Sequence, residues 1–150
     1  VLRECQLDGI VRRAVRRFAG EFIGRKLKLC YEPLNVSCVT DEKWLLFVIE
    51  QVLSNALKYT RAGSITIELE APKTLVIRDT GIGVAPEDLP RIFEKGYTGY
   101  NGRGDQKASG LGLYLCRTIC KRLGHTITAS SVPDHGTAIR ITLEQRQVRE

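Results

Sequence analysis

The order of apolar and polar positions divides the chain into a few well-marked elements. Between Asp41 and Thr60, apolar residues fall at 45, 48, 49, 52, 53, 56 and 57 with no Gly or Pro inside, and Asp41 is suited to the N-cap. The spacing predicts one long helix. Upstream, Ile10, Val11, Ala14, Val15 and Phe18 interleave with Arg12, Arg13, Arg16 and Arg17, which predicts an amphipathic helix over 8–22 with a solvated basic face. Two period-2 stretches, 64–70 and 74–78, flank Ala71, Pro72 and Lys73. They predict a hairpin that buries Ile65, Ile67 and Leu69 and leaves Thr66, Glu68 and Glu70 wetted or thinly covered. Pro86 is placed to open a short helix reaching Phe93, with Glu87 and Asp88 at its positive end. From Glu94 to Ser109 the periodicity is lost among Gly96, Gly99, Gly102 and Gly104, which predicts a loop long enough to be functional. A helix from Gly110 to Leu123, stopped by Gly124, and strands over 125–131 and 136–143 complete the pattern.

These elements predict an α/β (α+β) two-layer sandwich, with a mixed, mostly antiparallel sheet of about five strands covered by helices on one face. The length of 150 residues suits one core, and a chain 43% hydrophobic and 27% charged is neither collagen-like, disordered nor coiled-coil. The longest apolar run, Trp44 to Ile49, is far shorter than the roughly 20 residues of a membrane span. The lack of Met and the start at Val1 suggest a piece of a longer protein. Five cysteines without a CxxC pair point to reduced thiols in a core; Cys116 and Cys120, four apart near His125, are expected to pack rather than bind metal. The formal charge of +6 raises the question of nucleic acid, but no aromatic stacking platform accompanies the basic helix.

Three stretches carry candidate chemistry. On the long helix Gln51, Asn55 and Lys58 share a face, and Tyr59 follows four after Asn55. Alone, such a stripe is commonly just solvated; its amides and ammonium are also suited to a metal-bound polyphosphate. At the end of the second hairpin strand, Asp79 is followed by Thr80, Gly81, Ile82 and Gly83. That pattern is often only a turn, but a fixed carboxylate accepts from an exocyclic amine such as that of adenine, and the glycines admit a flat ligand. Gly110 and Gly112 lie where a helix begins, among unpaired amides at a positive dipole end suited to phosphate. Lys95, Arg103 and Lys107 of the preceding loop are candidates to cover it.

Read in order, SNALKYT (54–60), RDTGIGV (78–84), RIFEKGYTG (91–99) and SGLGLYL (109–115) resemble the N, G1, F and G2 boxes of sensor histidine kinases in the GHKL ATP-binding superfamily. Four motifs in order are far more specific than any one, and the likeness covers roughly residues 26–143. FEKGYTG followed by NGR is also similar to the intramembrane-sensing kinases associated with peptide-antibiotic detoxification. The resemblance implies a Bergerat fold, ATP and Mg²⁺. It implies that Asn55, with Gln51, meets the metal, that Lys58 touches phosphate and that Tyr59 packs on adenine. Asp79 would bind the adenine amine, Gly81, Ile82 and Gly83 would shape the base pocket, and Phe93 would anchor the lid. Gly110, Leu111, Gly112 and Leu113 would present the phosphate-binding turn, Gly96, Thr98 and Gly99 would complete the contacts, and Lys95 or Arg103 would reach the γ-phosphate.

Two departures sharpen the expectation. Gln51 stands where the family has its first N-box Asn and where relatives that hydrolyse ATP carry a Glu; an amide cannot activate water as a base, which favours phosphoryl transfer over hydrolysis. No phosphoacceptor-type His motif precedes the boxes, so residues 1–25 are expected to be a linking helix from a dimerisation and phosphoacceptor region, 26–145 the ATP-binding catalytic domain and 146–150 a tail. The implied partners are ATP, the histidine-bearing helices of a homodimer and a response regulator, with no direct nucleic acid. The implied location is the cytoplasmic side of an inner- or plasma-membrane protein, tethered through other parts of the chain. Two alternatives stand beside this: a serine kinase resembling anti-sigma factors, and a nucleotide-free module using the basic helix.

Overall fold

In the computed structural model the described residues are 1–97 and 112–144. The chain runs β1 (Arg3–Gln6), α1 (Leu7–Gly24), β2 (Lys28–Tyr31), β3 (Ser37–Thr40), α2 (Glu42–Tyr59), β4 (Ser64–Glu70), β5 (Thr74–Asp79), α3 (Gly112–Leu123), β6 (Thr126–Val132) and β7 (Gly136–Thr142). A five-stranded sheet has the order β2-β4-β5-β7-β6; only β2 and β4 pair in parallel. The mixed, mostly antiparallel sandwich expected from the pattern is the fold found. β1 and β3 form a separate antiparallel ladder.

The long helix begins where its cap demands: the Asp41 side chain accepts from the Trp44 amide at 3.2 Å, satisfying one of the unpaired first-turn donors. One face of α2 buries Leu45, Val48, Ile49, Val52, Leu53, Ala56 and Leu57. These meet Ile65 and Ile67 of β4, Leu75 and Ile77 of β5, and Ile139 and Ile141 of β7 in one apolar cluster. Each fully buried Leu or Ile adds roughly 1.5–3 kcal/mol. On the far side of the sheet Arg78 binds Glu68, and Arg140 binds Glu70 at 3.1 Å; there Val76 is wholly buried.

Residues 1–25, expected as a link, supply β1 and α1, and Leu7, Ile10, Val11 and Ala14 of α1 are fully buried in the same cluster. The basic face is only partly free: Arg13 pairs with Glu42 at 3.3 Å and Arg17 with Glu50 at 2.7 Å, bracing α1 on α2. At the head of α1 the buried Asp8 carboxylate takes the Tyr31 hydroxyl and the amides of Leu34 and Asn35, fastening the β2–β3 connection. These favourable hydrogen bonds outweigh burial and hold its carboxyl below the usual range.

One expected element is corrected. The helix from Pro86 to Phe93 is only a 3-10 turn at Leu89–Arg91, because Pro90 cannot donate the amide that an α-helix would need there. The loop over 94–109 lies outside the described residues from position 98 on, as does the tail over 146–150. Cys116 and Cys120 are buried, as packing requires, with the Cys116 thiol 3.8 Å from the Val48 carbonyl. Among the described residues no three His, Cys, Asp or Glu gather to hold a metal.

Candidate functional site

The turn after β5 and the start of α3 both reach α2, the first at its C-terminal end by Tyr59 and the second at Gln51. Asp79 is the last residue of β5 and is 8% exposed. Its Oδ1 accepts from the Gly81 amide at 2.9 Å and the Thr137 amide at 3.2 Å; among the described residues no hydrogen bond falls on Oδ2. Burial pushes its pKa up, and the two amides offset part of that rise. This is a carboxylate held rigidly by one oxygen and offering the other.

Gly81 is packed on the end of α2. A Cβ there would strike the Tyr59 carbonyl and lie 2.8 Å from Thr60 Oγ1, so only glycine fits. The Ile82 amide donates to the Tyr59 carbonyl at 3.1 Å, and the Asp134 amide donates to the Ile82 carbonyl at 2.7 Å. The turn after Asp79 is thus pinned between the long helix and the β6–β7 turn. Thr60 Oγ1 is buried without a partner among the described residues, a polar atom left open beside this turn.

Along α2, Gln51, Asn55 and Tyr59 are half-buried and Lys58 is exposed, with its ammonium 5.4 Å from the Tyr59 ring centre. A Cβ on Gly112 would lie 3.0 Å from Gln51 Oε1, so the first turn of α3 abuts the polar stripe of α2. Phe93 is buried in the main cluster. Lys95 sits 5.9 Å over the ring of Tyr114 on α3, and Arg91 lies 5.7 Å over Tyr97. Burial raises the Tyr97 pKa, and Asp88 and Tyr59 nearby raise it further. Gly96 takes a left-handed φ of 87°, and Leu113 is half-buried against the core.

The structure therefore brings Gly81 and Ile82, with Asp79 before them, to the end of the Asn55 helix, sets Gly83 against Val132 and Pro133 of the β6–β7 turn, and brings Gly112 to Gln51. Thr98, Gly99, Arg103, Gly110 and Leu111 lie outside the described residues. Three participants carried no sequence signal of their own. Gly136 and Thr137 close over the Asp79 backbone and carboxylate, and Ser131 accepts from the Val84 amide at 2.7 Å. Their one clue was position: β7 had to pair with β5 somewhere.

The family model described as histidine kinase-, DNA gyrase B-, and HSP90-like ATPase matches residues 40–147. The chain belongs to this family. The histidine kinase-like ATPase chain is 36% identical over 141 residues to the sensor histidine kinase YxdK of Bacillus subtilis, matching 91% of this chain and 42% of YxdK. It is 42% identical over 107 residues to the sensor protein BceS of Halalkalibacterium halodurans, 69% of this chain and 32% of BceS. Full-length ShkA, solved in complex with AMPPNP, superposes on 93% of this chain and 30% of its own with a TM-score of 0.79 at 22% identity, a likeness of fold. The chain thus spans less than half the length of these curated relatives. Among the described residues no helix is long and apolar enough to cross a membrane.

Proposed function

We propose that this histidine kinase-like ATPase domain binds ATP and passes its γ-phosphate to a histidine on a separate dimerisation region of a membrane-tethered sensor kinase, from which a response regulator receives it. The observation that carries the reading is the seating of the buried Asp79 turn on the C-terminal end of α2 and of the first turn of α3 on Gln51, at the two ends of the polar stripe that holds Asn55. In this reading Asp79 accepts from the adenine amine and Tyr59 packs on the ring. The glycines at 81 and 83 and the backbone at Ile82 form the wall. Gly110, Leu111, Gly112 and Leu113, the last two opening α3, would offer their amides to phosphate. Phe93 seats the segment bearing Gly96, Thr98 and Gly99, while Lys58 with Lys95 or Arg103 neutralises phosphate charge.

The donor set fits Mg²⁺. Amide oxygens of Asn55 and Gln51 lie along one stripe, and an ion bound mainly through phosphates and waters needs few protein ligands. When bound, Mg²⁺ neutralises developing charge on the phosphates; Asn55 and Gln51 would hold it. Gln51 cannot deprotonate water, so the domain positions ATP for an external nucleophile rather than hydrolysing it. Residues 1–25 lead from the dimerisation helices of a homodimer while packing on the domain. The domain itself works on the cytoplasmic side.

Phosphorylation tests the reading. Mixed with labelled ATP, Mg²⁺ and the dimerisation region of its full-length protein, the domain should produce acid-labile phosphate. Acid-stable phosphate would instead indicate serine, and no transfer despite ATP binding would refute the kinase assignment.

A further inference from the structure

The support beneath Asp79 contains a hydroxyl relay with a fixed direction. Side chains alternate across a strand, so Asp79 shares the helix-facing side with Leu75 and Ile77 of β5. Thr137 of β7 and Ser131 of β6 lie directly opposite one another and face the same way. The Thr137 amide holds Asp79 Oδ1, and the β5–β7 register carried one step past Arg78↔Ala138 sets Thr137 across from Asp79 on the same face.

Ser131 has a single hydroxyl proton. Its Oγ donates to the Gly136 carbonyl at 2.8 Å and accepts from the Val84 amide at 2.7 Å. Thr137 Oγ1 is 3.0 Å from Ser131 Oγ. With the serine proton committed to Gly136, that contact requires Thr137 to donate and Ser131 to accept. The Thr137 proton is thus spent on Ser131, and its hydroxyl has only lone pairs left for any other partner. The ionised Asp79 beside it is also acceptor-only.

We propose that Ser131 is a specificity-positioning residue: by fixing the direction of the Thr137 hydroxyl, it makes the floor of the base site a surface of acceptors that selects 6-amino over 6-oxo purine nucleotides. The inference rests on the nucleotide reading above and adds a residue that reading does not use. A 6-amino group donates to such a floor; a 6-oxo group in the same pose confronts carboxylate and hydroxyl lone pairs. A site built around one hydrogen-bond polarity rejects the other because its buried groups are left unpaired. Without Ser131, the Thr137 hydroxyl turns and donates to the 6-oxo oxygen.

The test is titration of the 150-residue chain with ATP and with ITP, reading the ratio of the two affinities. The wild type should favour ATP, and Ser131→Ala should narrow the ratio by about five- to tenfold, the scale of one hydrogen bond. Ser131→Cys, nearly isosteric and a poor hydrogen-bonding partner, should narrow it in the same direction with little risk to packing. With Thr137→Val already in place, Ser131→Ala should leave the ratio where Thr137→Val alone puts it. Affinities for ATP and ITP that fall in step in both Ser131 variants would overturn the inference and leave the nucleotide reading standing. Failure of the wild type to bind either nucleotide would overturn that reading itself.

Discussion

Acidification from pH 6.5 to 4 should cost this domain stability through one buried histidine. His125 is 2% exposed; its Nε2 lies 2.9 Å from Thr40 Oγ1, and Nδ1 has no partner among the described residues. Burial pushes its pKa from the ordinary 6.5 down to about 4. The unfolded chain therefore takes up a proton that the folded chain refuses. The stabilisation is complete above pH 6.5, falls as pH drops towards about 4, and then levels. At roughly 1.4 kcal/mol per pH unit, the whole window is worth about 3 kcal/mol. Asp8, held below the ordinary carboxylate value of 3.8, loses its contribution only at lower pH, so the two effects separate. Urea denaturation at half-unit steps from pH 7 to 4, on the wild type and His125→Gln, isolates the term: the wild type should lose about 3 kcal/mol more than the glutamine variant between 6.5 and 4. Parallel stability curves for the two proteins across that window would refute the argument.

Other perturbations address the site and its supports. Asp8→Ala strands the Tyr31 hydroxyl and two amides, and should lower stability by about 2–3 kcal/mol in chemical denaturation; a loss below about 0.5 kcal/mol would remove its clamping role. Asn55→Ala should leave weak nucleotide binding but abolish its response to Mg²⁺, seen by calorimetry with and without the ion. Gly81→Ala should drive the Asp79 turn off the end of α2, weakening ATP analogue binding at least about tenfold, because the added methyl strikes the Tyr59 carbonyl. Because burial raises the Asp79 pKa, ATP affinity should begin to fall on acidification at a higher pH than an ordinary carboxylate would give; affinity flat down to pH 4 would contradict that.

Long elements with unbroken periodicity were plain in the sequence. α2, the β4–β5 hairpin, α3 and the β6–β7 pair each hold enough residues to reveal a period. β1, β2 and β3 have four residues each, too few for alternation to stand out. β2 exists because it pairs in parallel with β4, more than thirty residues away, and tertiary pairing of that kind leaves no local trace. The turn at 89–91 was over-read because the N-terminal signals at Pro86 were sound, while Pro90 denied the next turn its donor. In the site, Asp79 and its glycines were legible because a carboxylate at a strand end and tight backbone approach each demand a residue type. Ser131 and Thr137 were not, since their roles depend on cross-strand register. Gln51 meeting Gly112 likewise follows from helix packing, which spacing along one helix cannot express.

Calorimetric titration with a non-hydrolysable ATP analogue, with and without Mg²⁺, on the wild type and Asp79→Asn bears most directly on the whole account. The wild type should bind, more tightly with the ion. Asp79→Asn should lose measurable binding while keeping or raising its melting temperature, since an uncharged amide escapes the cost of burying the carboxylate. Equal affinity in the two proteins, or no binding by a folded wild type, would contradict it.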